Sequence, residues 1–99
     1  MAIYLLLSTL TGDGRKAIEE YPEKLMELNK EVEYMGVKIL SQYALLGQYD
    51  FVHVVEAPSN EKAAELAIHL SAGGLQSLTL AAIPLEKLME VLKKKPPVF

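Results

Sequence analysis

Residues 37–57 read VKILSQYALLGQYDFVHVVEA, and this stretch decides the fold. Two runs rich in β-branched and aromatic residues, which are typical of strands, flank the pair Gly47-Gln48. A glycine in the first position of a two-residue loop favours a type II′ turn between antiparallel strands. The sequence therefore predicts a β-hairpin in which Gln42 lies opposite His53. The same predicted register places Leu40 opposite Val55.

Outside the hairpin, apolar runs alternate with segments of helical periodicity. Pro22 lacks the N–H that an uninterrupted helix would need, so the first helical segment is expected to kink there or to divide into two helices. Ser59 or Asn60 is expected to cap the next helix, and Gly73-Gly74 to end it. In chain order, the predicted elements are a strand at 2–8, a helical segment at 15–35, strands at 37–46 and 49–57, a helix after the cap, a strand at 75–83 and a short helix at 85–92.

This order is βαββαβ with an additional C-terminal helix, which is the split βαβ arrangement of ferredoxin-like folds. The sequence therefore predicts an α+β sandwich with a four-stranded antiparallel sheet in the order 4-1-3-2 and both main helices on one face. A chain of 99 residues supplies one hydrophobic core. Residues 1–92 are expected to form that single domain, and residues 93–99 a basic tail that contains two prolines.

Side chains along each strand alternate between the two faces of the sheet, which divides the strand residues into two sets. We expect the more aliphatic set to face the helices and the set with more polar members to lie on the open face. The predicted helix-facing residues are Ile3, Leu5, Leu7, Ile39, Val52, Val54, Leu78 and Leu80. The predicted open-face residues are Tyr4, Leu6, Ser8, Leu40, Gln42, Ala44, Phe51, His53, Val55, Ser77, Thr79 and Ala81.

The predicted open face is too apolar to remain in contact with water, because large exposed apolar patches are rare on monomers. We expect a second copy of the chain to cover it, in a homodimer or larger homo-oligomer that buries Leu40, Phe51 and Val55. The alternative cover is the terminal helix at 85–92, folded over its own sheet.

Composition excludes several classes of protein. The chain has no cysteine, so disulfides, thiolate metal sites and cysteine nucleophiles are excluded. Its net charge is −3, and the lysines at 93–95 leave the rest of the chain still more acidic, which argues against nucleic-acid binding. The apolar run at 2–7 lacks a basic flank and is too short for a signal sequence or a membrane span. We expect a cytoplasmic protein without nucleic-acid or membrane partners.

The residues around the hairpin loop resemble a known family. Residues 47–50, Gly-Gln-Tyr-Asp, resemble the Gly-x-Tyr-Asp signature of the GYD-domain family, and residues 56–58 are similar to its Glu-Ala-Pro. The turn at 10–14 and the proline-containing first helix also fit the family's pattern. The resemblance covers residues 2–83 and implies a ferredoxin-like fold related to dimeric α/β barrels, without implying a particular activity.

The fourth strand departs from the family's pattern. Members often have Asn-Val-Arg-Thr followed by Leu-Arg-Ala-Phe, whereas residues 74–77 are Gly-Leu-Gln-Ser and residues 80–83 are Leu-Ala-Ala-Ile. Both arginines are missing. A family function that needs a cation at this strand, such as holding a carboxylate or a phosphate, therefore has no support here.

His53 is the strongest candidate for chemistry, because imidazole titrates near neutral pH and acts as acid, base or ligand. The structural alternative is a histidine that is hydrogen-bonded inside a subunit interface. His69, one turn after Glu65, is expected to be a solvated surface residue. The predicted ligand-binding residues are Tyr4, Ser8, Gln42, Tyr49, Asp50, His53 and Thr79.

No pattern indicates a metal or a cofactor, because the two histidines lie on different elements without recognisable ligand spacing. A serine-based triad lacks support, since Asp13 and Asp50 are turn residues. The Gly12-Asp13-Gly14 turn is expected to be structural rather than an anion cradle. Asp50 can also accept backbone N–H bonds at the strand start, and Tyr49 can brace the hairpin.

Three functions remain open at this point. The leading one is a homo-oligomeric domain that binds or senses a small molecule, because apolar surface surrounds a polar centre. The alternatives are a cofactor-independent enzyme of the dimeric α/β barrel type, with His53 in proton transfer, and an interaction module without a ligand. A pocket of about 300 Å³ or more near His53 favours the first two, and a fully packed interface favours the third.

Overall fold

A computed structural model describes residues 1–94 of the chain. Their elements are, in chain order, β1 (Ala2–Leu10), α1 (Gly12–Glu20), α2 (Lys24–Tyr34), β2 (Lys38–Ala44), β3 (Phe51–Ala57), α3 (Asn60–Ala72), β4 (Leu75–Ala82) and α4 (Leu85–Lys93). Residues 95–99, the larger part of the tail expected at 93–99, lie outside the described residues. Lys93 belongs to α4.

The four strands form one antiparallel sheet in the order β2-β3-β1-β4. This is the predicted 4-1-3-2 order, with β1 and β3 in the centre and β2 and β4 at the edges. The helices α2 and α3 pack on one face of the sheet and supply its buried apolar partners. The α+β ferredoxin-like fold is therefore confirmed.

The predicted hairpin register is confirmed next to the turn, where Gln42 lies opposite His53. The loop is longer than the predicted two residues. The pair that closes it is joined by the Leu45 N–H, which donates to the Asp50 carbonyl at 2.8 Å. Because the extra residues are added symmetrically, the pairing of the strands stays as predicted.

A β-bulge interrupts the same strand pair farther from the turn. The register shifts between Ile39 and Ser41, so Ile39 lies opposite Val55. The predicted pairing of Leu40 with Val55 is therefore wrong. A bulge adds one residue to only one strand, which leaves Leu40 without an opposite partner and exposed.

The first helical segment divides at Pro22 into α1 and α2, the second of the two predicted alternatives. The helix α1 begins at Gly12, earlier than predicted. The Thr11 hydroxyl accepts a hydrogen bond from the Gly14 N–H at 2.9 Å and so caps the helix at that point. Ser59 caps α3 in the same way, as predicted.

The first turn of α1, residues 12–14, packs directly on the turn before β4. A Cβ atom at Gly14 would lie 2.5 Å from the carbonyl oxygen of Gly74. The Thr11 N–H donates to that same oxygen at 2.9 Å. Gly74 has a φ of 95°, which favours glycine. The Gly-Asp-Gly turn at 12–14 therefore serves chain packing.

The helices cover the face of the sheet opposite to the one predicted. Tyr4, Leu6 and Ser8 are buried, and Tyr4 and Leu6 belong to the core that α2 and α3 complete. The prediction is wrong because β1 carries leucine on both faces, so alternation alone does not reveal which face is covered. Ile39 is the exception: it faces the helices as predicted, because the bulge shifts its register. Strand pairing gives the helix side of the sheet as Tyr4, Leu6, Ser8, Ile39, Gln42, Ala44, Phe51, His53, Val55, Ser77, Thr79 and Ala81.

Because the helices cover the face that was predicted to be open, that face is not available as the predicted oligomer interface. Val55 lies in the core and Phe51 packs against it, both beneath the helices. A partner subunit therefore does not cover them from the open face, and that prediction is wrong for both residues.

The open face of the sheet is aliphatic instead. On it, Leu78 and Leu80 are 47% and 42% exposed. The helix α4 has no buried residue, so the alternative cover by the chain's own terminal helix is not observed. Within residues 1–94, no helix combines the length and apolarity needed to cross a membrane. The open-face residues are Ile3, Leu5, Leu7, Val52, Val54, Leu78 and Leu80.

Candidate functional site

A cavity of about 240 Å³ lies between the sheet and the helices α2 and α3. Buried side chains such as Leu6 and Leu66 form its floor. Met26 and Tyr43 also line it, and they are 60% and 64% exposed. The cavity therefore opens between α2 and the edge strand β2.

The lining is almost entirely apolar. Among the described residues, its polar members are Asn29, Gln42, Tyr43 and His53, and no aspartate, glutamate, lysine or arginine of residues 1–94 borders the cavity. In such low-dielectric surroundings each hydrogen bond is electrostatically stronger than it is in water. The chemistry of the cavity therefore depends on these few groups.

Of these polar groups, His53 is the one that a central strand carries. It lies on β3, with Leu6 of β1 opposite on one side and Gln42 of β2 opposite on the other. The centroid of its ring is 6.5 Å from that of Phe51, and the planes are tilted by 49°. The Nδ1 atom is buried and has no hydrogen-bond partner in the described part of the chain.

Burial controls the charge of this histidine. Loss of hydration lowers the pKa of His53 below its ordinary value of 6.5, because the imidazolium is more strongly hydrated than the neutral ring. No carboxylate within residues 1–94 lines the cavity to oppose this effect. The neutral imidazole therefore prevails near neutral pH and presents one donor nitrogen and one acceptor nitrogen.

Three other predicted site residues lie on the helix side of the sheet but outside the cavity lining. The Tyr4 hydroxyl donates to the side-chain oxygen of Asn60. The hydroxyls of Ser8 and Ser77 are 3.3 Å apart. The Thr79 hydroxyl oxygen is buried and has no hydrogen-bond partner among residues 1–94. The structure does not bring these residues to the cavity.

Asp50 ties the hairpin to the central strand. Its carboxylate accepts a hydrogen bond from the Leu10 N–H at 2.8 Å, and its own N–H donates to the Ser8 carbonyl at 2.8 Å. Neither Asp50 nor Tyr49 lines the cavity. The aspartate of the Gly-x-Tyr-Asp signature therefore makes structural hydrogen bonds in this chain.

Residues 4–92 match the family model described as GYD domain. The chain belongs to the GYD-domain family. The resemblance expected from residues 47–50 and 56–58 is confirmed, and the match extends from β1 through β4 into most of α4.

A relative from Thermus thermophilus is 44% identical to this GYD domain over 95 residues. The aligned region covers 94% of this chain and 100% of the relative. That protein is named glutamine synthetase and cystathionine beta-lyase binding protein.

Solved structures share the fold of this GYD domain. TTHA0845 from Thermus thermophilus has a TM-score of 0.55 at 20% identity, over 85% of this chain and 95% of that chain. The hypothetical protein PHS023 from Pyrococcus horikoshii has a TM-score of 0.53 at 16% identity, over 85% of this chain and 92% of that chain. At these identities the likeness concerns the fold alone.

His69 of the GYD domain lies at the surface, as predicted. Its Nε2 is 3.2 Å from the Glu31 carboxylate of α2, whereas Glu65 pairs with Lys62 at 2.8 Å. Within residues 1–94, no three histidine or carboxylate side chains cluster as metal ligands would.

Sequence reasoning missed the contribution of α2 to the cavity. Leu25, Met26 and Asn29 line it, together with Tyr43 of β2. Asn29 lies four residues after Leu25, so the two side chains share one side of the helix. A polar residue bordering an apolar stripe is the signal that points to Asn29.

The GYD domain should lose stability as the pH falls through the region near 6.5. The pKa of His53 is lowered in the folded state, so the unfolded chain binds this proton first. The loss begins near the unfolded pKa of about 6.5 and levels off below the folded pKa. Urea unfolding followed across this range of pH measures it.

The matched variants are His53→Phe and His69→Phe. His53→Phe should remove this part of the pH dependence of stability. His69→Phe, which changes a surface residue, should retain it. The same pH dependence in all three proteins would show that His53 is not desolvated in the folded state.

Proposed function

We propose that this GYD domain is a homo-oligomeric domain that binds a small molecule in the cavity beside His53. The observation that carries the proposal is an imidazole whose buried Nδ1 lacks a partner among residues 1–94, at the edge of an apolar cavity. A buried polar group without a partner costs about 1–3 kcal/mol. A buried group of this kind calls for an explanation, and the cavity beside the same ring supports a role in binding.

The cavity is smaller than the volume of about 300 Å³ expected of a ligand site, but it is too large for a packing defect. Protein interiors contain few voids larger than a water molecule. The volume of about 240 Å³ exceeds the roughly 150 Å³ of an engineered apolar cavity that binds benzene. It is smaller than the pockets of about 300 Å³ and more that hold drug-sized molecules. The volume therefore suits a small metabolite.

A low-molecular-weight extract of the source cells should shift the backbone amide resonances of the cavity floor in the ¹⁵N-labelled protein. An occupant would contact Leu6, Leu66 and Leu70 directly, since all three line the cavity. Two-dimensional ¹⁵N–¹H correlation spectra measure the shifts.

The control compares two exposed alanines on the helix side of the sheet. Ala44 lines the cavity and Ala81 does not. Ala44→Phe should abolish the shifts because its ring fills the mouth, and Ala81→Phe should retain them. Extracts that leave the floor resonances unmoved, or that act equally on both variants, would contradict the proposal.

The homo-oligomer in this proposal uses the open face of the sheet. Leu78 and Leu80 remain nearly half exposed there, beside further aliphatic residues of β1 and β3. Burial of a leucine side chain contributes about 1.5–3 kcal/mol before the costs of association. A two-fold axis would bring the same face of a second copy against it.

Leu80→Glu should weaken self-association at least about tenfold, because a carboxylate would lose its hydration in the interface. Ala81→Glu is the matched control, since it adds the same charge at an exposed position of the same strand but on the helix side of the sheet. Sedimentation velocity at tens of micromolar measures the effect. An unmodified protein that sediments as a monomer would contradict the proposed oligomer.

A second candidate function is an interaction module that binds other proteins, and α4 is the observation that favours it. Leu85, Leu88, Met89 and Leu92 recur at helical spacing along one side of α4, and all four are exposed. The Thermus thermophilus relative is named for binding two enzymes. We propose that α4 docks into an apolar groove of a cytoplasmic enzyme, in the helix-in-groove mode.

Leu88→Gln should weaken binding to the glutamine synthetase of the source organism at least about tenfold, since it removes one leucine from the apolar stripe. Lys87→Gln places the same side chain outside that stripe and should leave binding unchanged. Isothermal titration calorimetry measures both. Equal effects of the two variants, or no binding by the unmodified protein, would count against α4 as the docking surface.

The remaining alternative, a cofactor-independent enzyme with His53 in proton transfer, would use the same cavity. A general base has to be neutral before it accepts a proton, and the lowered pKa of His53 keeps the imidazole in that form. Tyr43 also borders the cavity, but its pairing with Val52 places its side chain on the open face, which leaves His53 as the titratable side chain of the described lining. A ligand recovered unchanged after incubation supports binding, whereas a converted ligand supports the enzyme.

A further inference from the structure

The cavity offers no partner for a charged ligand. Its described lining contains no carboxylate, ammonium or guanidinium group. Transfer of an ion into apolar surroundings without a counter-charge is strongly unfavourable. A protonated His53 would supply a cation, but burial disfavours that form. The occupant is therefore neutral.

The polar groups of the cavity lie towards β2, and the apolar groups lie in the floor. Gln42 belongs to β2, His53 is its neighbour on β3, and Asn29 lies on α2, which borders the mouth beside β2. Leu66 and Leu75 lie in the buried part of the lining. A molecule with an apolar body and one polar end fits this distribution.

The hydrogen-bonding state of His53 follows from its two nitrogens. A neutral imidazole holds its proton on one nitrogen and leaves the other as an acceptor. Buried N–H groups without an acceptor are rarer than buried acceptors without a donor. Since Nδ1 is buried and has no partner within residues 1–94, the proton belongs on Nε2. Because His53 lines the cavity while Nδ1 is buried, Nε2 is the nitrogen that a ligand reaches.

We infer that the cavity takes a neutral, largely apolar compound of on the order of ten heavy atoms with one acceptor oxygen, for example that of a ketone, which accepts a hydrogen bond from Nε2–H of His53. The inference rests on the proposed function, because it names the ligand class of the same cavity. The acceptor oxygen lies beside β2 and β3, and the apolar body fills the floor under α3.

Three compounds of similar size test the ligand class. Acetophenone carries a neutral carbonyl, ethylbenzene lacks the acceptor, and benzoate is an anion. Titrations of the ¹⁵N-labelled protein give the affinity of each from the shifts of the cavity-floor amides. Acetophenone and ethylbenzene should bind, and benzoate should bind at least about a hundredfold more weakly than acetophenone.

The variant His53→Phe tests the hydrogen bond, with His69→Phe as the surface control. The ratio of the acetophenone affinity to the ethylbenzene affinity should fall about 3- to 10-fold in His53→Phe, the range expected for one hydrogen bond. The ratio should stay constant in His69→Phe. The ¹⁵N shifts of the imidazole ring in the unmodified protein give the tautomer independently of any variant, and they should show the proton on Nε2.

The other outcomes would each overturn at least one part of the proposal. Tighter binding of benzoate would overturn the ligand class and leave a small-molecule cavity standing. An unchanged affinity ratio in His53→Phe, or a proton on Nδ1, would overturn the hydrogen bond from Nε2. If none of the three compounds shifts the floor amides at millimolar concentration, the ligand class and the cavity-binding function both fail.

Discussion

The side chain of Leu6 lies in the core between the sheet and the helices, and its burial decides which face of the sheet the helices cover. It is 0% exposed, on the strand that pairs with both β3 and β4. Across the sheet it lies between His53 and Thr79, so the face that buries Leu6 also draws these two polar residues under the helices. Burial of one leucine thus fixes the direction of every side chain on the sheet.

Some buried polar groups on this face have a hydrogen-bond partner among residues 1–94, and others have none. Tyr4 and Ser8 find side-chain partners in Asn60 and Ser77. His53 Nδ1 and the Thr79 hydroxyl have none within residues 1–94. Of these two groups without a partner, His53 borders the cavity. The domain therefore carries this energetic cost at the histidine that borders the cavity.

Local signals in the sequence predicted the element order, the sheet order and the caps. Glycine and proline act through their own backbone conformations, so the break at Pro22 and the turn at Gly47 are readable from neighbouring residues. The same holds for the pairing of Gln42 with His53, which follows from the parity of the loop. These features need no knowledge of what packs on the sheet.

The covered face was not predictable from the same signals. The consecutive leucines at 5–7 make both faces of β1 apolar, and the rule that polar residues point outward then selects the wrong one. Residues 39–41 contain no glycine, so the local sequence does not predict the bulge at Leu40. The cavity could be predicted only in part, through Gln42 and His53, because Leu25 and Asn29 reach it by packing of α2 on a distant strand.

The cavity and the exposed helix lie at opposite edges of one sheet. The mouth of the cavity lies between α2 and the edge strand β2, whereas α4 follows the other edge strand, β4. No residue of α4 lines the cavity, so the binding site proposed at His53 and the docking surface proposed at Leu88 use different residues. The open face lies on the reverse of the sheet from the cavity. The sheet thus separates the cavity from the open face, and the row from Gln42 through His53 and Leu6 to Thr79 crosses all of its strands.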